Sequence, residues 1–124
     1  MKNSEHERDL AQRTKTFALR IIKMYSALPK ATVAQVLGKQ VRRSGPAVGA
    51  NDREANRARS KAGFVAKMGD CLKELDETAY WLELLVEAAI VPQLRLTAWM
   101  DATSQLIAIF VTIIKRAKEM NNEN

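Results

Sequence analysis

Apolar residues recur along this chain at alternating spacings of three and four, and four separate runs of that pattern can be marked. The first passes through Leu10, Phe17, Ile21, Met24 and Leu28, with Thr14 filling the gap, and halts before Pro29. A period near 3.6 is that of a helix with one face turned to a core. Ser4 and Glu7 stand at capping-box spacing where this run opens. The second starts near Thr32, where Gln35 repeats that spacing, and carries Val33, Val36, Leu37 and Val41 before meeting "SGPAVG". Pro46 has no N–H to give and its ring crowds the preceding turn, so a helix crossing it should kink, with Gly45 and Gly49 easing the bend. A break into two short helices is the competing expectation.

The third run is the clearest. With Ser60 as cap, Phe64, Met68, Cys71, Leu75, Thr78, Leu82, Leu85 and Ala89 form one unbroken seam. Pro92 suits the first turn of a fourth helix, where a missing N–H costs nothing. Leu96, Trp99, Thr103, Leu106, Phe110, Ile113, Ala117 and Met120 continue the spacing there. No stretch alternates with the period of a strand. The 124 residues are one domain's worth. The pattern therefore predicts an all-α fold: residues 1–124 as a single up-down-up-down four-helix bundle with short loops, its second helix kinked near Pro46.

Within the fourth run, "LIAIFVTII" has a single polar residue, so apolar groups surround the helix. Such a helix must be buried on all sides. These residues are too few for a bilayer, which needs about 20. In a small bundle every helix keeps one face outward, so the surplus predicts a subunit interface at Leu106, Ile107, Ile109, Phe110 and Ile114.

Charge changes the picture more than composition does. The net charge is +6, and residues 39–67 alone account for that value. Residues 1–38 are basic in excess and residues 68–124 acidic in excess by the same amount, so the two flanks cancel. The single cysteine, Cys71, has no partner for a bridge, and no charged leader with an apolar core opens the sequence. Both features lead us to expect a cytoplasmic protein.

Catalytic chemistry is thin. His6 is the lone histidine, placed in the first turn of helix one, where a solvated imidazole is expected. There are no Glu-x-x-His pairs for a di-metal bundle and no zinc-ligand spacing. Cys71 sits on the apolar seam, as a small core hydrophobe would. "GPAVGAN" lacks the lysine of a phosphate loop and follows no strand. Asp70, Glu74 and Glu77 share one side of helix three; a solvated face is the simpler reading, with a divalent cation or a partner's basic patch as the alternative. We expect no enzyme activity, no metal and no cofactor.

The basic residues carry more. Lys39, Arg42, Arg43, Arg53, Arg57, Arg59 and Lys61 have only Asp52 and Glu54 among them. Arginine's planar fork suits phosphate, and gathered cations gain affinity for a polyanion by releasing its counterions. No aromatic interrupts them before Phe64, so stacking on bases has little to work with. The expectation is sequence-tolerant binding to nucleic acid, RNA more than DNA. The rival expectation is a protein–protein scaffold whose basic surface receives an acidic partner. A membrane partner is not expected, because the apolar positions read as bundle seams.

Residues 40–85 resemble the signature of bacterial four-helix bundle proteins related to those encoded in ribosomal RNA intervening sequences. The resemblance rests on Arg43, Ser44 and Gly45; on Gly49, Ala50 and Asn51; on Glu54 and Ala55; on Ser60 with Phe64; and on Leu72, Lys73, Glu74, Glu77, Thr78, Tyr80, Trp81 and Leu82. Pro46 and Ala47 depart from it, since the family usually has small polar residues there. The resemblance implies a cytosolic homopentamer arranged as a ring. It also implies similarity to the accessory variability protein of diversity-generating retroelements, a basic bundle that binds nucleic acid and a reverse transcriptase. Five copies of the basic window would gather about +30 of formal charge, enough to steer a polyanion at low salt. For Asn51 and Glu54, hydrogen bonding to a kinked backbone and contact with a ligand both stay open.

Overall fold

In the computed structural model, which describes residues 4–123 and the side chains of residues 5–120, four helices follow one another: α1 (Ser4–Ser26), α2 (Thr32–Ala55), α3 (Lys61–Glu87) and α4 (Gln93–Glu123). No strand occurs among the described residues. Each helix packs on its neighbour in sequence, α2 against α3 most extensively. Helices α1 and α4 scarcely approach through their backbones, although Arg13 Nη2 donates to Gln105 Oε1 across the gap at 3.0 Å.

The apolar seams of α1 and α3 are where their spacing predicts. Leu10, Thr14, Phe17, Ile21, Met24 and Leu28 are buried, as are Met68, Cys71, Leu75, Thr78, Leu82 and Leu85. Buried threonine hydroxyls are satisfied within their own helices: Thr14 donates to the Ala11 carbonyl, Thr78 to Glu74, and Thr103 to Trp99. Ser60 caps α3 by accepting from the Gly63 amide at 3.0 Å.

The end of α3 departs from expectation. The helix stops at Glu87, and Ala89 lies outside it, exposed, with φ of 61°. The amide of Ala89 donates to the Val86 carbonyl and that of Ile90 to Leu85. Nested bonds of this kind close a helix end with the residue after its cap left-handed, a place usually taken by glycine.

Helix α2 brings larger corrections. It runs unbroken through Pro46, so the expectation of two short helices fails. Its buried face is Ala34, Gly38, Val41, Ser44, Gly45, Val48, Asp52 and Ala55, while the expected seam residues Val33 and Val36 are 58% and 57% exposed. The physical reason is close approach of α1. A Cβ at Gly45 would stand 3.0 Å from both Cγ atoms of Ile21, and one at Gly38 would overlap the Leu28 side chain. Gly38 and Gly45 thus let α1 and its C-terminal turn lie directly against α2. No capping box forms at Thr32. The N-cap is Ala31, without a side-chain bond, and Gln35 instead donates to the Pro29 carbonyl at 2.9 Å and accepts from the Tyr25 hydroxyl. The Ser4 side chain, half of the other expected capping box, lies outside the described residues.

Along α4, Trp99, Thr103, Leu106, Phe110 and Ala117 are buried, whereas Met120 is 55% exposed. Leu106 and Phe110 thus point into the subunit's own core and are unavailable to a second subunit. Ile107, Ile109 and Ile114 are half-buried, and Leu94 and Val111 stand outside. By length and composition alone, α4 over Gln93–Met120 is also apolar enough to cross a membrane, unlike its central nine residues taken by themselves.

Candidate nucleic-acid interface on helices α1 and α2

On α2, Lys39, Arg42, Pro46, Ala50 and Arg53 follow one another at spacings of three and four, which places them on one outward stripe. At 1.5 Å per residue, Lys39 and Arg53 are about 21 Å apart along the axis. Arg57, in the turn after α2, extends the stripe. Lys39, Arg42, Arg53, Arg57 and Arg59 are exposed, and Lys61 is half-buried in the first turn of α3. The Arg42 guanidinium lies 4.9 Å from the centroid of the Tyr25 ring, a cation–π contact that holds it against α1.

Arg43 is different. It turns toward α3, where Nη2 donates to Glu77 Oε1 at 3.0 Å and approaches Glu74 Oε1 at 3.7 Å. Lys67 likewise meets Glu54 at 2.8 Å and Asp70 at 3.8 Å. The hydrogen bond to Glu54, with its charge, holds the Lys67 ammonium above the ordinary lysine range. The acidic face of α3 is therefore answered by bases of its own subunit, and no group of three potential metal ligands occurs among the described residues.

The structure adds two residues that reading the chain in order did not join to the basic cluster. Between α1 and α2 runs a groove of about 650 Å³ lined by Arg8, Lys15, Arg53 and Arg57, with Gln12 and Asn56 between them. Arg8 and Lys15 are seven apart, so they fall on one flank of α1. Among the described residues none of these four cations takes part in an ion pair. Its floor holds Gly49 and, deeper, Asp52.

Asp52 is only 1% exposed, and its Oδ1 has no hydrogen-bond partner. Burial, helped by the nearby Glu7 charge, raises its carboxyl to about 6. Cys71, fully buried on the other side, is pushed up to about 12, first by burial and then by Asp52. A thiol so held stays protonated at neutral pH, as a core residue would.

Three other signature residues of α2, Ser44, Gly45 and Gly49, are packing parts. Ser44 and Thr78 share a hydrogen bond of 2.7 Å in the core, Gly45 lies under Ile21, and Gly49 lies under Thr14. Glu54 bridges to Lys67, and Asn51 is half-buried.

An all-α bundle of four sequentially packed helices, basic along α1 and α2, is the class of protein that fold and surface define. The chain belongs to the 23S rRNA-intervening sequence protein family, whose model matches residues 6–112. A crystal structure of a protein of unknown function from the S23 ribosomal protein family of Bacteroides thetaiotaomicron is similar, with a TM-score of 0.83 and 34% identity over 88% of this chain and 97% of that one. No curated protein matches.

Proposed function

We propose that this protein is a non-enzymatic, basic, self-associating bundle that binds nucleic acid through its phosphates, RNA in preference to DNA, as a cytoplasmic accessory factor. The α1–α2 groove carries the proposal: Arg8, Lys15, Arg53 and Arg57 converge on it and none is neutralised by an ion pair among the described residues. Free cations of this kind bind a polyanion by displacing its counterions, whereas a pair already formed has little left to give. The preference for RNA rests on the family, which is named for an element of ribosomal RNA. No aromatic lines the groove, so recognition tolerates sequence.

Self-association, pentameric as the resemblance implies, is supported by apolar residues left outside: Leu94 and Val111 on α4, Val33 and Val36 on α2. It would multiply the groove around a ring, where a reverse transcriptase or another polymerase could be recruited. Analytical ultracentrifugation of the wild type and Val111→Glu tests the assembly; a monomer at every concentration of wild type overturns it.

Fluorescence anisotropy with two unrelated RNA hairpins and a DNA duplex tests the binding. The proposal expects both hairpins to bind alike, and Arg53→Gln, Arg57→Gln and Arg59→Gln together to weaken both equally. Unchanged affinity in that variant removes the basic surface from the function. Partners captured from lysate that persist after nuclease treatment would instead favour an acidic protein partner.

A further inference from the structure

At the end of the bundle where α1 and α4 stand apart, a second cleft of about 590 Å³ opens among all four helices. Leu10, Phe64, Met68, Ile109 and Ile113 form an apolar wall, and His6, Glu7, Asn56 and Arg116 line the polar side of the cleft. The size is that of clefts that enclose small organic molecules. Asp52 lines this cleft as well as the groove between α1 and α2, so its carboxyl sits where the two meet.

A carboxylate only accepts hydrogen bonds, and one buried without a donor is costly to keep. Neither base lining the cleft, His6 or Arg116, supplies that donor: both are exposed, Asp52 Oδ1 has no hydrogen-bond partner, and among the described residues no ion pair reaches it. Glu7 adds a second negative charge to the same cleft. A guest that completes the site must bring N–H donors and positive charge at one end and hydrocarbon behind it. A divalent cation fits poorly, because no group of three ligands stands here.

We infer that this cleft binds a small organic cation, an ammonium or guanidinium on an apolar chain, with Asp52 Oδ1 accepting from its head group and Phe64, Met68 and Ile113 covering its tail. The cleft meets the basic groove at Asp52, but the inference does not rest on phosphate binding there.

The full chain can be titrated at pH 8 with hexylammonium and hexylguanidinium, and in parallel with hexanol and hexanoate, following methionine methyl signals by NMR. Both cations should bind saturably, one per chain, and shift Met68, while hexanol and hexanoate bind at least tenfold more weakly. Asp52→Asn keeps the shape of the carboxyl and should weaken cation binding about tenfold or more. Ile113→Trp fills the tail space without touching Asp52 and should abolish it. Circular dichroism confirms that each variant is folded. Absence of saturable binding to the wild type, equal binding of hexanol, or undiminished cation binding by folded Asp52→Asn each overturns the inference.

Discussion

Asp52 is the residue whose environment contradicts its chemistry most: a carboxyl 1% exposed, without a partner for Oδ1, and raised from 3.8 to about 6. A raised acid means that the folded state holds the proton more tightly than the unfolded chain does. The cost of ionisation is therefore absent below pH 4, grows between pH 4 and pH 6, and is complete by neutral pH, where it amounts to about 3 kcal/mol. Asp52→Asn removes that dependence. Urea unfolding should show the variant gaining about 3 kcal/mol over wild type between pH 4 and pH 8; a difference independent of pH would mean that the carboxyl is not isolated. Ala89 offers a simpler case. Its left-handed backbone costs an L-residue about 1 kcal/mol that glycine avoids, so Ala89→Gly should raise stability by about that amount, while loss of stability would show that the α3 terminus is closed in another way.

At the level of elements, helices α1 and α3 were legible in the sequence because large apolar side chains mark their buried faces. The start of α2 at Thr32 and buried Val41 were legible too, but the rest of its buried face was not, since it includes Ala34, Gly38, Ser44 and Gly45, which a search for large hydrophobes passes over in favour of Val33 and Val36. Small residues let α1 come close, and that approach is what joins Arg8 and Lys15 to Arg53 and Arg57. The groove was thus only half visible: its α2 side is a cluster in sequence, whereas its α1 side depends on which face of α1 meets those glycines. Two glycine substitutions separate close approach from helix propensity. Gly45→Ala drives a Cβ against Ile21 and should cost about 1–3 kcal/mol. Gly69→Ala meets nothing within 4 Å and should gain about 0.5–1 kcal/mol. Chemical denaturation of both checks the pair, and equal effects of one sign would refute the packing role of Gly45.

For the whole molecule, the division of charge matters more than its total. Arg43 and Lys67 are spent on the carboxylates of α3 and Glu54, whereas among the described residues Arg8, Lys15, Arg53 and Arg57 take part in no ion pair. That separation explains how a chain of only +6 can present a strongly cationic surface. With Leu106 and Phe110 buried, the exposed apolar residues of α4 are Leu94, Val111 and Met120, so the proposed assembly would draw on a face of the helix other than the one in the core. The salt dependence of RNA binding tests the central claim most directly. Log affinity against log salt should fall steeply for the wild type, and Arg8→Gln, Lys15→Gln, Arg53→Gln and Arg57→Gln together should flatten the slope by about three, with equal loss on unrelated RNA sequences. A slope unchanged in that folded variant would contradict the account.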